Sequence, residues 1–215
     1  MIFMINILLA TTNRGKLAEM TAILADLQAE APAPVQFVTP LELGIAQDVE
    51  EDGATYAENA RRKAEAFCRA AGIPALADDS GLEVDALGGE PGIRSARYAP
   101  MPNPTDADRR ATLLGRLAGK PAPWTAHFHC TVALALPGGS VQFAGGDCFG
   151  EIIPQERGDN GFGYDPIFLL PQPGRTMAEL TMAEKNRLSH RARALRAAWW
   201  FIRQFASRAA SPQQD

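Results

Sequence analysis

A short apolar run, Ala75-Leu-Ala77, leads into Asp78-Asp79-Ser80-Gly81: two acids, a hydroxyl and a glycine. Carboxylates held side by side repel, and a proton, a basic side chain or a hard cation such as Mg²⁺ has to offset that repulsion. A cation bound there activates water or neutralises phosphate, so the stretch points to phosphate chemistry. Neighbouring side chains on an extended strand face opposite sides, so the two acids cannot both enter one cleft. Asp79 is expected to reach it, with Asp78 orienting backbone or metal-bound water. An Asx-type turn that closes the strand is the alternative reading.

Further groups could carry chemistry. Thr11-Thr12-Asn13-Arg14-Gly15-Lys16 lies between a strand and a helix start, where backbone N–H groups and the helix dipole favour an anion. Lys16 adds a point charge for phosphate, although the Gly–Lys spacing is not that of a P-loop and a plain capped turn has the same composition. Glu50 and Glu51 precede a helix; they matter for metal binding only if the fold brings one of them to Asp79. In Gly161-Phe162-Gly163-Tyr164-Asp165-Pro166 glycines let a ligand approach and an aromatic ring can stack on a nucleobase, while core packing is the competing reading. Lys185 and Ser189 share a helix face, and His190 and Arg191 follow. Arg94 and Arg97 can meet phosphate or structural carboxylates equally well. His127 and His129 share one face of a strand but lack a third ligand, so sheet packing is expected of them.

The elements that must position these groups follow from periodicity. A strand over Ile2–Ala10, a helix over Lys16–Leu27, a short strand over Val35–Val38 and a helix over Thr55–Ala71 are expected. Two strands, Thr125–Leu136 and Val141–Phe149, flank Pro137-Gly-Gly-Ser140, a hairpin signal. Thr105 opens one more helix, and a capping box at Thr181-Met-Ala-Glu184 opens a long one to about Ser207. The pattern is α/β with a mixed sheet. Its 215 residues suit one medium-sized domain. The net charge of −4 argues against nucleic acid or an anionic membrane as partner. Three scattered cysteines fit neither a disulfide framework nor structural zinc, and a cytoplasmic setting is expected. The apolar Met1–Ala10 is too short for a membrane span and has no basic leader.

Taken together the segments resemble the Ham1/RdgB-like family of inosine triphosphate pyrophosphatases, the XTP/dITP diphosphatases. The resemblance runs from Leu8 to Leu195. It rests on Ala10-Thr-Thr-Asn-Arg-Gly-Lys16, Glu51-Asp-Gly-Ala-Thr-Tyr-Ala-Glu-Asn-Ala60, Ala77-Asp-Asp-Ser-Gly-Leu82, Gly88-Gly-Glu-Pro-Gly-Ile-Arg-Ser-Ala-Arg-Tyr98, Gly161-Phe-Gly-Tyr-Asp-Pro-Ile-Phe168 and Ser189-His-Arg191. Thr12 stands where many relatives carry glycine. The resemblance implies an α/β fold of two lobes around a long mixed β-sheet with flanking helices and a central nucleotide cleft, one domain over 1–208 with a mobile tail over 209–215. It implies Mg²⁺-dependent hydrolysis of ITP, dITP and XTP to monophosphate and pyrophosphate, by a homodimer. Thr11 to Lys16 are then the phosphate loop. Asp79 is proton acceptor and metal ligand, Ser80 contacts substrate, and an acid of the Glu50–Glu51 pair, taken as Glu50, is a second metal contact. Phe162, Gly163, Tyr164, Asp165, Lys185, His190 and Arg191 hold base and sugar.

On that reading Lys16 and Mg²⁺ neutralise charge in the transition state while Asp79 takes the proton of the attacking water. A donor such as Arg191 or a backbone N–H facing the 6-oxo group of the purine excludes adenine, whose 6-amino group donates. A Maf-type pyrophosphatase is disfavoured by Asn13 and Lys16, and a non-catalytic nucleotide sensor by the intact Asp79.

Overall fold

The computed structural model describes residues 4–30 and 33–210. Six strands form one mixed sheet: β1 (Ile5–Leu9), β2 (Val35–Val38), β3 (Ala75–Val84), β4 (Trp124–Ala135), β5 (Val141–Ile152) and β6 (Phe168–Leu169), in the order β2-β1-β3-β4-β5-β6. β1 pairs parallel with β2, Ile5 opposite Val35, and with β3, Leu8 opposite Ala75. β6 pairs antiparallel with β5. The helices are α1 (Arg14–Glu30), α2 (Tyr56–Ala71), α3 (Asp106–Leu117), α4 (Met182–Leu188) and α5 (His190–Ala210). Among the described residues no helix is long and apolar enough to cross a membrane.

The chain divides into two compact units. The first takes the described parts of Met1–Asp79, Thr131–Gly146 and Arg191–Asp215; the second is Ser80–Cys130 with Asp147–His190. In the first, Ala60, Ala64, Phe67 and Cys68 of α2 pack with Leu8, Ala75, Ala77, Ala133 and Ala135. The small residues let the helix backbone lie close on the sheet, and Phe67 supplies most of the apolar bulk, worth about 1.5–3 kcal/mol for a fully buried side chain. Thr55 caps α2 by accepting the Glu58 N–H at 3.1 Å, and the helix ends at Gly72, whose N–H reaches the Cys68 carbonyl. In the second unit, Leu82, Val84, Leu113, Leu117, Phe128, Ile167 and Phe168 form the core. Phe128 and Phe168 lie 4.6 Å apart at a tilt, the offset geometry aromatic pairs favour. The expected Thr181–Glu184 capping box forms, and Thr105, expected to open a helix, makes a second one with Asp108.

Four expectations need correction. β1 is Ile5–Leu9, shorter than Ile2–Ala10, whose first two residues lie outside the described residues. α1 begins at Arg14, not Lys16, because Asn13 Oδ1 accepts the Lys16 N–H at 3.0 Å and so caps the helix. β3 does not stop at the acids but continues through Asp78, Asp79 and Ser80 to Val84; both carboxylates find cationic or amide partners, so the strand has no need to break. The long C-terminal helix is two helices, since Ser189 takes extended backbone (φ −68°, ψ 157°) between α4 and α5. The expected tail over 209–215 falls outside the described residues from 211 on, and α5 includes Ala209 and Ala210.

Candidate active site

In the first unit the alternation of β3 sends its two acids to different partners. Asp78 is fully buried. Its Oδ2 accepts from Arg191 Nη2 at 3.0 Å and Nε at 3.1 Å, and Lys16 Nζ lies 3.2 Å away. Arg191 is itself buried, and its Nη1 donates to Glu19 on α1. Burial by itself would raise the Asp78 carboxyl, but Lys16, then Arg191 and Lys63, outweigh it and hold the group far below the usual carboxylate range. Asp78 is thus a permanent anion that fixes a lysine and an arginine.

Asp79 has a different environment. It is buried, and its Oδ2 accepts from Asn59 Nδ2 at 3.0 Å. The Asn59 amide is oriented from its other end, where Oδ1 accepts the Gly53 N–H at 2.8 Å. Gly53 is required by that approach: a Cβ there would stand 2.6 Å from Asn59 Oδ1. Lys63 Nζ lies 3.9 Å from Asp79 Oδ1 and 2.7 Å from Glu51 Oε1. Burial, helped by the Glu51 charge, outweighs Lys63, Lys16 and the Asn59 hydrogen bond and raises the Asp79 carboxyl above its ordinary value. Burial also pulls the Lys63 ammonium down, yet Asp78, Glu51 and Asp79 together push it up. Two neighbouring acids therefore differ in kind: one is locked as an anion, and the other is the better proton acceptor, because its basicity is raised.

The loop residues distribute along the start of α1. Thr11 is buried and its Oγ1 accepts the Asn13 N–H at 3.2 Å. Thr12, Asn13 and Arg14 are exposed, and Gly15 and Lys16 half-buried. The exposed face of this helix start offers amide donors to an anion. Of the acidic pair, Glu50 is exposed, and the position beside Lys63 and Asp79 belongs to Glu51. Within that pair the geometry favours Glu51 over Glu50.

The second unit holds the aromatic loop. Asp165 is buried, and its Oδ2 accepts the Phe162 N–H at 2.8 Å and Lys185 Nζ at 2.5 Å. Lys185 Nζ also stands 4.9 Å from the centre of the Phe162 ring, a cation–π distance. Gly161 has φ +76°, and a Cβ there would come within 2.1 Å of Asp165 Oδ2, so only glycine lets the loop fold around that carboxylate. Phe162 and Gly163 remain half-buried; Gly163 takes φ +64°, the left-handed region that favours glycine, with open space where a Cβ would stand. Tyr164 is buried in the core, its hydroxyl donating to the Ser95 carbonyl at 2.9 Å, and burial pushes its phenol well above the ordinary range. His190 is buried and stacks on Phe128 at 4.8 Å. Ser80 is half-buried on β3.

The other motifs resolve into architecture. Ser95, between Arg94 and Arg97, is buried, accepts the Leu82 N–H at 2.9 Å and donates to the Gly92 carbonyl at 2.6 Å. That turn anchors β3. His129 Nδ1 lies 2.6 Å from Asp147 Oδ1, and His127 Nε2 3.5 Å from Glu83 Oε2; each histidine has its own carboxylate, as sheet packing requires. Trp199 is buried against Phe37, whereas Trp200 is exposed.

The structure thus gathers Lys16, Asp78, Asp79 and Arg191 in the first unit and Phe162, Asp165 and Lys185 in the second. In it Arg191 pairs with Asp78 and Glu19. It adds Glu19, Asn59 and Lys63, which sequence reasoning missed. The available signal was on α2, where Asn59 and Lys63 stand four apart on one face beside Ala60 and Ala64. Mg²⁺ is held by one or two carboxylates, with waters and phosphate oxygens completing its octahedron. The Asp79–Glu51 pair fits that donor set. Among the described residues no three of His, Cys, Asp and Glu gather as a metal site.

Residues 7–200 match the model of the Ham1 family. A dITP/XTP pyrophosphatase from Geobacillus kaustophilus is 48% identical over 190 residues, covering 88% of this chain and 90% of that protein. One from Ralstonia nicotianae is 50% identical over 193 residues, covering 88% and 92%. A HAM1 protein structure from Coxiella burnetii superposes with a TM-score of 0.81 at 42% identity, covering 94% of this chain and all of that one, 100%.

Proposed function

Because the chain belongs to the Ham1 family, we propose that this nucleoside triphosphate hydrolase converts ITP, dITP and XTP to the monophosphate and pyrophosphate, with Mg²⁺. The observation that carries the proposal is the split of the two adjacent acids. Asp78 stays ionised and holds Lys16, while Asp79 is raised toward the basicity a general base needs. In this reading Asp79 takes the proton of the water that attacks the α-phosphorus. Asn59 orients the Asp79 carboxylate by donating to its Oδ2. Lys16 and the amides at the start of α1 bind phosphate oxygens, with Asp78 keeping the lysine in place. Asp79 and Glu51 would hold Mg²⁺, which supplies Lewis-acid neutralisation of phosphate charge when bound. Lys63 keeps those two carboxylates together by offsetting their repulsion.

Phe162 is the stacking surface for a purine, and Lys185 and His190 are the side-chain donors for base and sugar. Arg191 contributes through Asp78 and not as a donor to the 6-oxo group. Both the Phe162 and Gly163 N–H groups already serve carboxylates, at 2.8 and 2.7 Å. A donor facing O6 still separates inosine and xanthosine from adenine, because an adenine amino group would leave that donor unpaired. The homodimer and the cytoplasmic location belong to the same proposal; sedimentation of the purified protein checks the first.

The test is pyrophosphate release from ITP, XTP, GTP, ATP and dTTP with and without Mg²⁺. Fast Mg²⁺-dependent release from ITP and XTP, with little from ATP, is expected. Release from dTTP alone, or ITP binding without any release, refutes the assignment.

A further inference from the structure

The aromatic loop is gripped a second time, from α3, by residues outside every motif described above. Gly163 has both of its peptide groups taken. Its N–H donates to Asp106 Oδ2 at 2.7 Å, and its carbonyl accepts from Arg110 Nη1 at 2.9 Å. Asp106 and Arg110 are four apart on α3, so one helix face presents the acceptor and the donor together. Each is braced in turn. Asp106 Oδ1 pairs with Arg109, whose Nη1 donates to the Pro104 carbonyl at 2.7 Å. Arg110 makes a two-pronged pair with Glu156, Nε to Oε1 at 2.8 Å and Nη2 to Oε2 at 2.9 Å. Burial tends to raise the Asp106 carboxyl, but the Gly163 N–H and Arg109 hold it below its usual value, as expected of a carboxylate that works ionised. A bidentate arginine is a fixed fork and not a swinging point charge. The Asp165–Lys185 clamp fixes Phe162 N–H on one side of Gly163; the α3 clamp fixes the next peptide.

We infer that Asp106 and Arg110 are positioning residues that hold the Gly161–Asp165 loop so that Phe162 presents its ring to the purine. The inference rests on the reading that this loop receives the base. The chemistry belongs to Asp79 and Lys16, so losing the clamp weakens binding of the nucleotide and spares the chemical step. The experiment compares wild type with Asp106→Ala, Asp106→Asn and Arg110→Ala by two readouts: amide hydrogen exchange across residues 161–165, and kcat and KM for ITP. With Asp106→Ala, exchange at Gly163 and KM for ITP both rise about tenfold or more, the equilibrium worth of one hydrogen bond to a charged group, while kcat stays within about twofold. Arg110→Ala acts in the same direction. Asp106→Asn, whose amide oxygen can still accept the Gly163 N–H, recovers most of the loss. Unchanged exchange overturns the inference, as does faster exchange with unchanged KM, or a fall in kcat at constant KM. A wild-type protein that turns over no purine triphosphate sinks the functional reading instead, and exchange at Gly163 still decides whether the clamp exists.

Discussion

Replacing Asp78 by Asn isolates the buried ionic cluster of the first unit. The substitution keeps the side-chain volume, so no cavity forms and the effect is electrostatic. Asp78 is fully buried, with Arg191 donating at 3.0 and 3.1 Å and Lys16 at 3.2 Å. At about 3 Å and an effective dielectric of about 20, one such pair is worth roughly 5 kcal/mol of attraction, from which desolvation subtracts. Removing one partner of a buried pair costs about 3–5 kcal/mol, because the other charge is left behind. Here the stranded charge is Arg191, 1% exposed, with Glu19 as its remaining carboxylate partner. Asp78→Asn should therefore lose about 3 kcal/mol or more in urea unfolding at pH 7. The pH dependence gives an independent check. The folded carboxyl is depressed, so the stability it contributes is fully present above its unfolded value of about 3.9 and is lost as pH falls below it. The gap between wild type and variant must narrow as the pH drops below about 4. A loss under about 1 kcal/mol at pH 7, or a gap that stays constant into acid, would show that Lys16 and Arg191 do not depend on Asp78.

Asp79→Asn should lower pyrophosphate release by about 10²–10⁴-fold, the usual share of a general base, while the urea midpoint stays near that of wild type; near-normal turnover would remove Asp79 from the mechanism. Lys16→Ala should weaken ITP binding more than IMP binding by calorimetry, since a triphosphate concentrates more charge there; equal losses would contradict a phosphate role. Gly161→Ala sets a methyl 2.1 Å from Asp165 Oδ2 at φ +76°, so KM for ITP should rise sharply, and an unchanged KM would separate the loop from substrate. Glu184 is brought down to about 2, first by Arg175 and then by the Thr181 N–H and hydroxyl. Its contribution is present above the ordinary glutamate value of about 4.3 and disappears toward pH 2, so Glu184→Gln should flatten the acid limb of stability. An acid limb identical to wild type counts against that capping contact.

The elements were legible where local signals act alone. Thr55, Thr105 and Thr181 mark helix starts because a hydroxyl satisfies an orphan N–H within its own turn. The hairpin at Pro137–Ser140 is similarly local. Boundaries failed where a distant partner decides them. β3 runs through two acids only because Lys16, Arg191, Lys63 and Asn59 arrive from other segments, and no window around Asp78 contains any of these four. Ser189 splits the last helix although the pattern around it is continuous. In the site, the motif residues were readable as types, yet their pairings were not: Arg191 looks like a ligand donor in sequence and is a buried counter-ion in the fold.

Lys63 shows why the missing part was missing. Read along α2 it is the last of three consecutive basic residues, Arg61-Arg62-Lys63, and charged residues on helices are ordinarily solvated. Its meaning comes from burial: a lysine 7% exposed must have anions around it or lose its proton. Glu51 at 2.7 Å and Asp79 at 3.9 Å meet that need. The same contact answers the problem that two nearby carboxylates pose in the sequence, since a basic side chain offsets their repulsion when no metal is bound. It also sets a testable consequence for metal binding. A cation that settles between Glu51 and Asp79 competes with Lys63, so Lys63→Met should tighten Mg²⁺ binding by the protein alone, as read by calorimetry, even as the apo protein loses stability from two uncompensated carboxylates. Weaker Mg²⁺ binding in that variant would mean that the lysine and the metal do not share those carboxylates.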